Sequence, residues 1–270
     1  MGKIVWLASY PKSGNTWVRA FLHNYILQPE SPHSINRLVE FSVAECAAAF
    51  FHEPGESLTT AQVQALRPAV HEKLTHLHDD LVFVKTHNAN LAVEDVPLCT
   101  PEHSAGAVYI VRDPRDVALS YAAYTGRGVD EIIELMANPR AANASDSAQV
   151  FELLSSWSQH AISWVAAPKR LLVRYEDLVA APERGFARII RFLGTGEVEA
   201  ARLQRAIEFS NFKTLAAQEA ESGYNAGSKN EKFFRAGKAG QWREQLTPAQ
   251  ARRIEEAHGE VMGKFGYGLS

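Results

Sequence analysis

The chain has 270 residues, 46% hydrophobic and 22% charged, a balance that excludes a disordered or fibrous protein. Its 28 Lys and Arg against 31 Asp and Glu leave a net charge of -3, so no overall basic field draws it to nucleic acid or anionic lipid. Any anion site must therefore be local.

The first apolar run, residues 4–8, is too short for a helix and reads as a buried strand entering the turn Tyr10-Pro11-Lys12-Ser13-Gly14. From Thr16 the apolar residues Trp17, Val18, Phe21, Leu22, Tyr25 and Ile26 recur at helical spacing until Pro29 and Pro32. Residues 33–80, with Pro54, Gly55 and Pro68, read as short helices and variable loops rather than sheet. Residues 81–84 and 107–111 are two further strand-like runs, and the second feeds a helix at residues 115–124, with Pro114 in its first turn. Residues 131–136 form an amphipathic stretch that packs on the core or lines an entrance. Residues 151–165 read as an apolar-periodic helix, residues 170–175 as a fourth strand, and a helix after Pro182 ends at Leu193-Gly194. Residues 220–241, rich in Gly, Lys and Asn, read as a loop or lid.

This rhythm predicts an α/β fold of three layers, a mostly parallel central sheet flanked by helices, in one domain over 1–270, with ligands beyond the carboxyl ends of the strands. Cys46 and Cys99 form no CxxC pair or disulfide framework. With no signal peptide and no run near the roughly 20 apolar residues of a membrane span, the expected location is the cytoplasm, with no membrane partner and no nucleic acid.

Lys12, Ser13, Gly14 and Thr16 lie between a strand and a helix start, where free N–H groups and the helix dipole make an anion site and Lys12 adds charge. Because Lys12 precedes Gly14, this is not the GxxxxGK[ST] nucleotide loop; a helix start capped by Ser13 or Thr16 is the plainer alternative. Arg112, at a strand end, and Ser120, two helical turns on, could clamp a phosphate; Arg112, Asp113, Arg115 and Asp116 equally suit a charge network at a helix start, where Asp113 and Asp116 would cap. His71, His76, His78, Asp79 and Asp80 match no metal-ligand spacing and read as a polar loop between a helix and a strand.

The block YPKSGNTW resembles the 5′-phosphosulfate loop of the cytosolic-type sulfotransferases, including their bacterial members, which use 3′-phosphoadenosine 5′-phosphosulfate as donor. The block YIVRDPRDVALSY is similar to that family's 3′-phosphate segment, and FRAGKAGQWR to its C-terminal glycine-rich donor loop. The resemblance implies that Lys12, Ser13, Gly14, Asn15 and Thr16 hold the 5′-phosphosulfate, that Trp17 stacks on adenine and that Arg112 with Ser120 holds the 3′-phosphate. It implies that Tyr175 meets the adenine edge, that Ser210 and Phe212 complete the nucleotide pocket, and that Arg235 and Gly237 close over the 3′-phosphate. Ala236 stands where the family commonly has a lysine, a contact that Lys238 could replace; Asn15 stands for a common threonine. For Trp17, Tyr175 and Phe212, simple core packing competes.

The segment Lys85-Thr86-His87 resembles the family's Lys-Thr-His signature, which implies His87 as general base, Lys85 on the sulfuryl group and Lys12 at the leaving oxygen. The expected reaction is in-line transfer to the hydroxyl of a phenol or alcohol, without a metal. The acceptor would lie among residues 33–80, 122–150 and 220–241. A P-loop-type kinase and a catalytically inactive nucleotide-binding module are the alternatives. The family's C-terminal dimerisation signature is missing from the last 30 residues, so a homodimer is left open.

Overall fold

The computed structural model describes all residues except 54–57, 195 and 226–231; Pro54, Gly55 and the middle of the glycine-rich 220–241 segment thus lie outside the described residues. The main strands are β1 (Lys3–Ser9), β2 (Ser42–Ala44), β3 (Leu81–Thr86), the short pair β4 (Ala92–Val93) and β5 (Val96–Pro97), β6 (Ser104–Val111), the short pair β7 (Ala142–Asn143) and β8 (Glu152–Leu153), and β9 (Arg170–Arg174). A five-stranded sheet has the order β2-β3-β1-β6-β9, and β3 pairs in parallel with both β1 and β2. The order jumps across the chain as α/β crossovers require, and the fold is a mostly parallel sheet flanked by helices. Contacts divide the chain into two compact units.

The first unit comprises Met1–Tyr10, Ser42–Tyr109 and Leu135–Leu172. Its apolar strands are buried on both faces: Ile4, Leu7, Ala8 and Val84 have no exposed surface. The register Ala8↔Thr86 brings the ends of β1 and β3 level, so Ser9 and His87 are the next residues beyond one aligned edge. The segment before β3 departs from the loop reading, because β2 extends the sheet. Helix α2 (Thr60–Leu74) is also longer than expected: it opens with a Thr59/Gln62 capping box and carries Pro68 inside it. His71 is no loop residue either; it is buried on α2, where its ring bonds Thr100 Oγ1 at 2.7 Å and meets the Glu45 carboxylate, which also pairs with Arg67. The helix expected over 151–165 begins only at Trp157. Ser155 has φ 58°, Ser156 caps α5 (Trp157–Val165) through Gln159 N, and Glu152–Leu153 is the strand β8. Cys46 and Cys99 are both free and buried.

The second unit comprises Pro11–Phe41, Ile110–Glu134 and Val173–Ser270. Its helix α1 (Asn15–Leu27) packs Phe21 flat on Phe186 of α7 (Pro182–Leu193), with ring centroids 3.9 Å apart. Helix α3 (Pro114–Thr125) has Pro114 in its first turn, Asp113 as cap and Gly126 at its left-handed end. Asp116 does not cap: its carboxylate accepts the N–H groups of Gly240 and Trp242 at 2.6 and 3.0 Å and so anchors the C-terminal glycine-rich loop. Arg115, 2% exposed, is bound by Asp113 and Glu255 and lies 3.6 Å over the Trp242 ring. Helix α4 (Val129–Ala137) covers the amphipathic stretch and straddles the division between the units, as does the expected loop from 122. Helix α6 (Tyr175–Ala180) follows β9, then come α7, α8 (Ala200–Phe209), α9 (Phe212–Ser222), α10 (Trp242–Gln245) and α11 (Pro248–Lys264).

Candidate functional site

The loop after β1 turns sharply. Lys12 has φ 65°, and Gly14, the residue before α1, has φ 104°. Gly14 gives its helix no side-chain cap, so neither Ser13 nor Thr16 plays the plainer capping part, and first-turn N–H groups of α1 stay available. A side chain at Gly14 would also collide with Tyr175, since a Cβ there would be 2.7 Å from the ring.

Around this loop the second unit gathers positive charge. The Arg112 guanidinium donates to the Lys12 carbonyl at 3.0 Å and to the Lys238 carbonyl at 3.2 Å, and it lies 4.4 Å from the centre of the Tyr175 ring. The Lys12 ammonium sits over Phe233 at 3.5 Å and Tyr124 at 4.5 Å. Burial, with Arg112 and Arg235 near, lowers the Lys12 pKa to about 7 against the partial help of Glu219. Two buried polar atoms, Ser13 Oγ and Arg112 Nε, have no partner among the described residues. A buried donor without an acceptor is costly, so an uncapped helix start, a lysine and these two atoms together fit an anion.

The residues expected to wall a nucleotide fall in the same unit. Trp17 is half-buried, edge-on to Tyr175 and Phe186, and its indole N–H lacks a partner among the described residues. Phe212 opens α9, is 36% exposed and lies directly against Gly237, whose φ of 61° and missing Cβ permit that approach. Ser120 is half-buried on α3, while Arg235 is exposed beside half-buried Ala236. Ser210 is buried with its hydroxyl donated to the Ala206 carbonyl at 2.7 Å, so only its lone pairs remain for a ligand. Lys238 meets Arg112 through its backbone carbonyl, a contact that does not involve its ammonium. Asn15 is buried and Thr16 half-buried in the first turn of α1.

The Lys-Thr-His segment belongs to the first unit. His87 Nδ1 is 2.7 Å from the Ser9 carbonyl, which can only accept, so Nδ1 carries the proton and Nε2 keeps its lone pair. Burial and the Lys85 charge lower the His87 pKa to about 3, which keeps the ring neutral at physiological pH. The peptide is held from two further sides: its N–H donates to Glu152 Oε1 at 3.1 Å, and its carbonyl accepts from His160 Nε2 at 3.2 Å. Since His160 Nε2 donates, its Nδ1 accepts from the Tyr109 hydroxyl at 3.0 Å. Burial raises the Glu152 carboxyl, but Lys85, His87 and Asn143 overcome it and hold the pKa at about 2. Sequence reasoning singled out neither Glu152 nor His160. One signal was present for Glu152, a lone acid inside the apolar run Phe151-Glu152-Leu153-Leu154.

Among the described residues no group of three or more His, Cys, Asp or Glu is arranged to hold a metal, and no helix is long and apolar enough to cross a membrane.

Comparison with known proteins gives these observations a family. The sulfotransferase domain family matches residues 3–266. Flavonol 3-sulfotransferase of Flaveria bidentis is 24% identical over 97% of this chain and 82% of its own length. Cytosolic sulfotransferase 16 of Arabidopsis thaliana is 26% identical over 96% and 75%. Among solved structures, a mouse sulfotransferase complexed with PAP superposes with TM-score 0.60 at 21% identity, covering 97% of this chain and 85% of that one. Retinol dehydratase in complex with retinol and PAP has TM-score 0.64 at 18% identity, covering 96% and 81%. With one family running from its first strand to just past its last helix, this chain belongs to the sulfotransferases.

Proposed function

We propose that the chain moves a sulfuryl group from 3′-phosphoadenosine 5′-phosphosulfate to the hydroxyl of a small phenol or alcohol, as a single sulfotransferase domain in the cytoplasm. The observation that carries the reading is the anion cradle of Lys12, Ser13, Gly14 and Arg112, with two buried donors that lack partners. The donor supplies an activated S–O bond on a phosphate; the residues supply position, charge and a proton acceptor.

Backbone N–H groups at the start of α1, with Ser13, Asn15, Thr16 and Lys12, would hold the 5′ end. Arg112, Ser120 and the Arg235-Ala236-Gly237 segment would hold the 3′-phosphate, and Trp17, Tyr175, Ser210 and Phe212 the adenosine. His87 Nε2 takes the acceptor's hydroxyl proton; the acceptor oxygen bonds sulfur as the bond from sulfur to the 5′-phosphate oxygen breaks. The electron pair leaves on that oxygen, where the Lys12 ammonium meets it, and Lys85 meets charge on the sulfuryl oxygens. Fixed N–H groups and lysines perform this work, and the scheme calls for no metal.

Support for the donor comes from relatives solved with PAP, and support for a hydroxyl acceptor from relatives named for a flavonol or solved with retinol. The name of the Arabidopsis relative supports the location. The family match does not favour the kinase alternative. Calorimetric titration with 3′-phosphoadenosine 5′-phosphate (PAP), against AMP and ATP with Mg²⁺, tests the donor; selective binding of PAP is expected, and preference for ATP refutes it. An acceptor screen with sulfur-labelled donor then separates an enzyme from an inactive binding module.

A further inference from the structure

Glu152 is a charged group 1% exposed, on a strand of two residues. An interior carboxylate costs several kcal/mol unless its oxygens are matched, and a hydrophobic residue would serve packing better. This one is matched on every side. Oε1 accepts the His87 backbone N–H at 3.1 Å and lies 3.6 Å from Lys85 Nζ, while Oε2 accepts Asn143 Nδ2 at 3.1 Å. The Cys46 thiol also hydrogen-bonds it. Asn143 stands opposite Glu152 in the β7/β8 pairing, so the ladder itself orients the carboxylate. Lys85 and His87 are two residues apart at the end of β3, which lets one carboxylate reach both.

Resting on the sulfuryl-transfer reading, we infer that Glu152 is the positioning residue of the reaction: through one oxygen it sets the peptide that carries the base and the ammonium that meets the sulfuryl group. The backbone of His87 is fixed by Glu152 and its ring by the Ser9 carbonyl, so Nε2 has one direction. Lys85 is held by a charge at ion-pair range, which keeps an extended, flexible side chain near the reacting group and lowers the ordering cost at the moment of transfer. A carboxamide in place of the carboxylate could still accept the His87 N–H but would lose the hold on Lys85, which separates the two duties.

The test uses the full chain and an acceptor that the wild type turns over. Glu152→Gln is expected to lower kcat by about tenfold or more, with PAP affinity and the donor KM within about threefold. Glu152→Asp, which restores the charge, is expected to recover part of that loss. Asn143→Ala, which frees the carboxylate, is expected to lower kcat in the same direction and decides the matter if the Glu152 variants do not fold. Wild-type kcat in Glu152→Gln, or in Asn143→Ala where it decides, overturns the inference. So does a fall in PAP affinity as large as the fall in kcat, since that marks general damage. A wild-type chain that binds PAP yet transfers to no hydroxyl compound refutes the sulfotransferase reading itself, before any variant is compared.

Discussion

If Lys12 holds the donor's 5′ end, nucleotide binding must pull a proton onto it. In the free chain, burial beside Arg112 and Arg235 lowers its pKa from 10.5 to about 7. A bound polyanion reverses the balance of charge and returns the group toward its ordinary value. At pH 8 a group of pKa 7 is about one-tenth protonated, so binding takes up about 0.9 proton. The sign follows: the complex binds more protons than the free chain above pH 7, so affinity falls as pH rises. Between pH 7 and pH 9 the protonated fraction of free Lys12 drops from about one-half to about one-hundredth, which predicts PAP binding about 50-fold weaker at pH 9. The second ionisation of a phosphate monoester, near about 6, is complete in this range and adds no slope. Calorimetry in buffers of different ionisation enthalpy measures the uptake directly. Lys12→Met should abolish both the uptake and the slope, and at pH 7 it should weaken binding by about 10-fold to 100-fold, the worth of a charged hydrogen bond. Zero uptake at pH 8 with affinity flat from pH 7 to pH 9 would refute the pairing of a burial-depressed Lys12 with the phosphate, and an unchanged affinity in Lys12→Met would refute the placement of Lys12 itself.

Three other outcomes are expected. His87→Ala should lower kcat by about 10²-fold to 10⁴-fold while PAP titrates as in wild type, since the ring's partner is the Ser9 carbonyl rather than the anion loop; equal loss of PAP binding would contradict its role as base. The neutral ring also predicts that kcat/KM shows no His87 inflection near pH 6.5, because protonation is displaced toward pH 3. Gly14→Ala forces a side chain to φ 104° against the Tyr175 ring, so it should cost about 1–3 kcal/mol in urea unfolding and weaken PAP binding further; an unchanged PAP affinity would show that the loop tolerates a shift. Arg115→Met leaves the Asp113 and Glu255 carboxylates unpaired and should lower unfolding free energy by about 3–5 kcal/mol, and a change under 1 kcal/mol would mean that water replaces the guanidinium.

The strand ends were legible because each lies where a short apolar run meets a polar break, and the parallel register then aligns Ser9 with His87 without further information. The same local reasoning found the turn at Gly14 and the start of α3 at Pro114. It failed where the partner is far along the chain. Nothing in the spacing of residues 42–44 says that they add an edge to β3, and three residues carry too little periodicity to mark a strand. Asp116 looks like any acid in a first helical turn, yet its partners are backbone N–H groups more than a hundred residues away.

Glu152 shows the limit most sharply, because a wrong helix hid it. In residues 151–165 the apolar positions Leu154, Trp157, Ala161 and Trp164 keep three-and-four spacing, so the helical pattern extends back through Glu152 and would place it on an ordinary solvated face. One local signal opposed that reading. Ser156 with Gln159 three residues on has the form of a helix start, and in the structure Ser156 caps α5. The left-handed backbone at Ser155, which a helix interior does not hold, then turns the chain out of β8. Once the helix starts at Trp157, Glu152 is an acid on a buried strand, and a buried acid demands partners; those within reach are the Lys85 ammonium and the His87 backbone N–H of the Lys-Thr-His segment. The cap therefore carried the functional information, since placing the helix start correctly is what moves a carboxylate from the surface to the peptide of the proposed base.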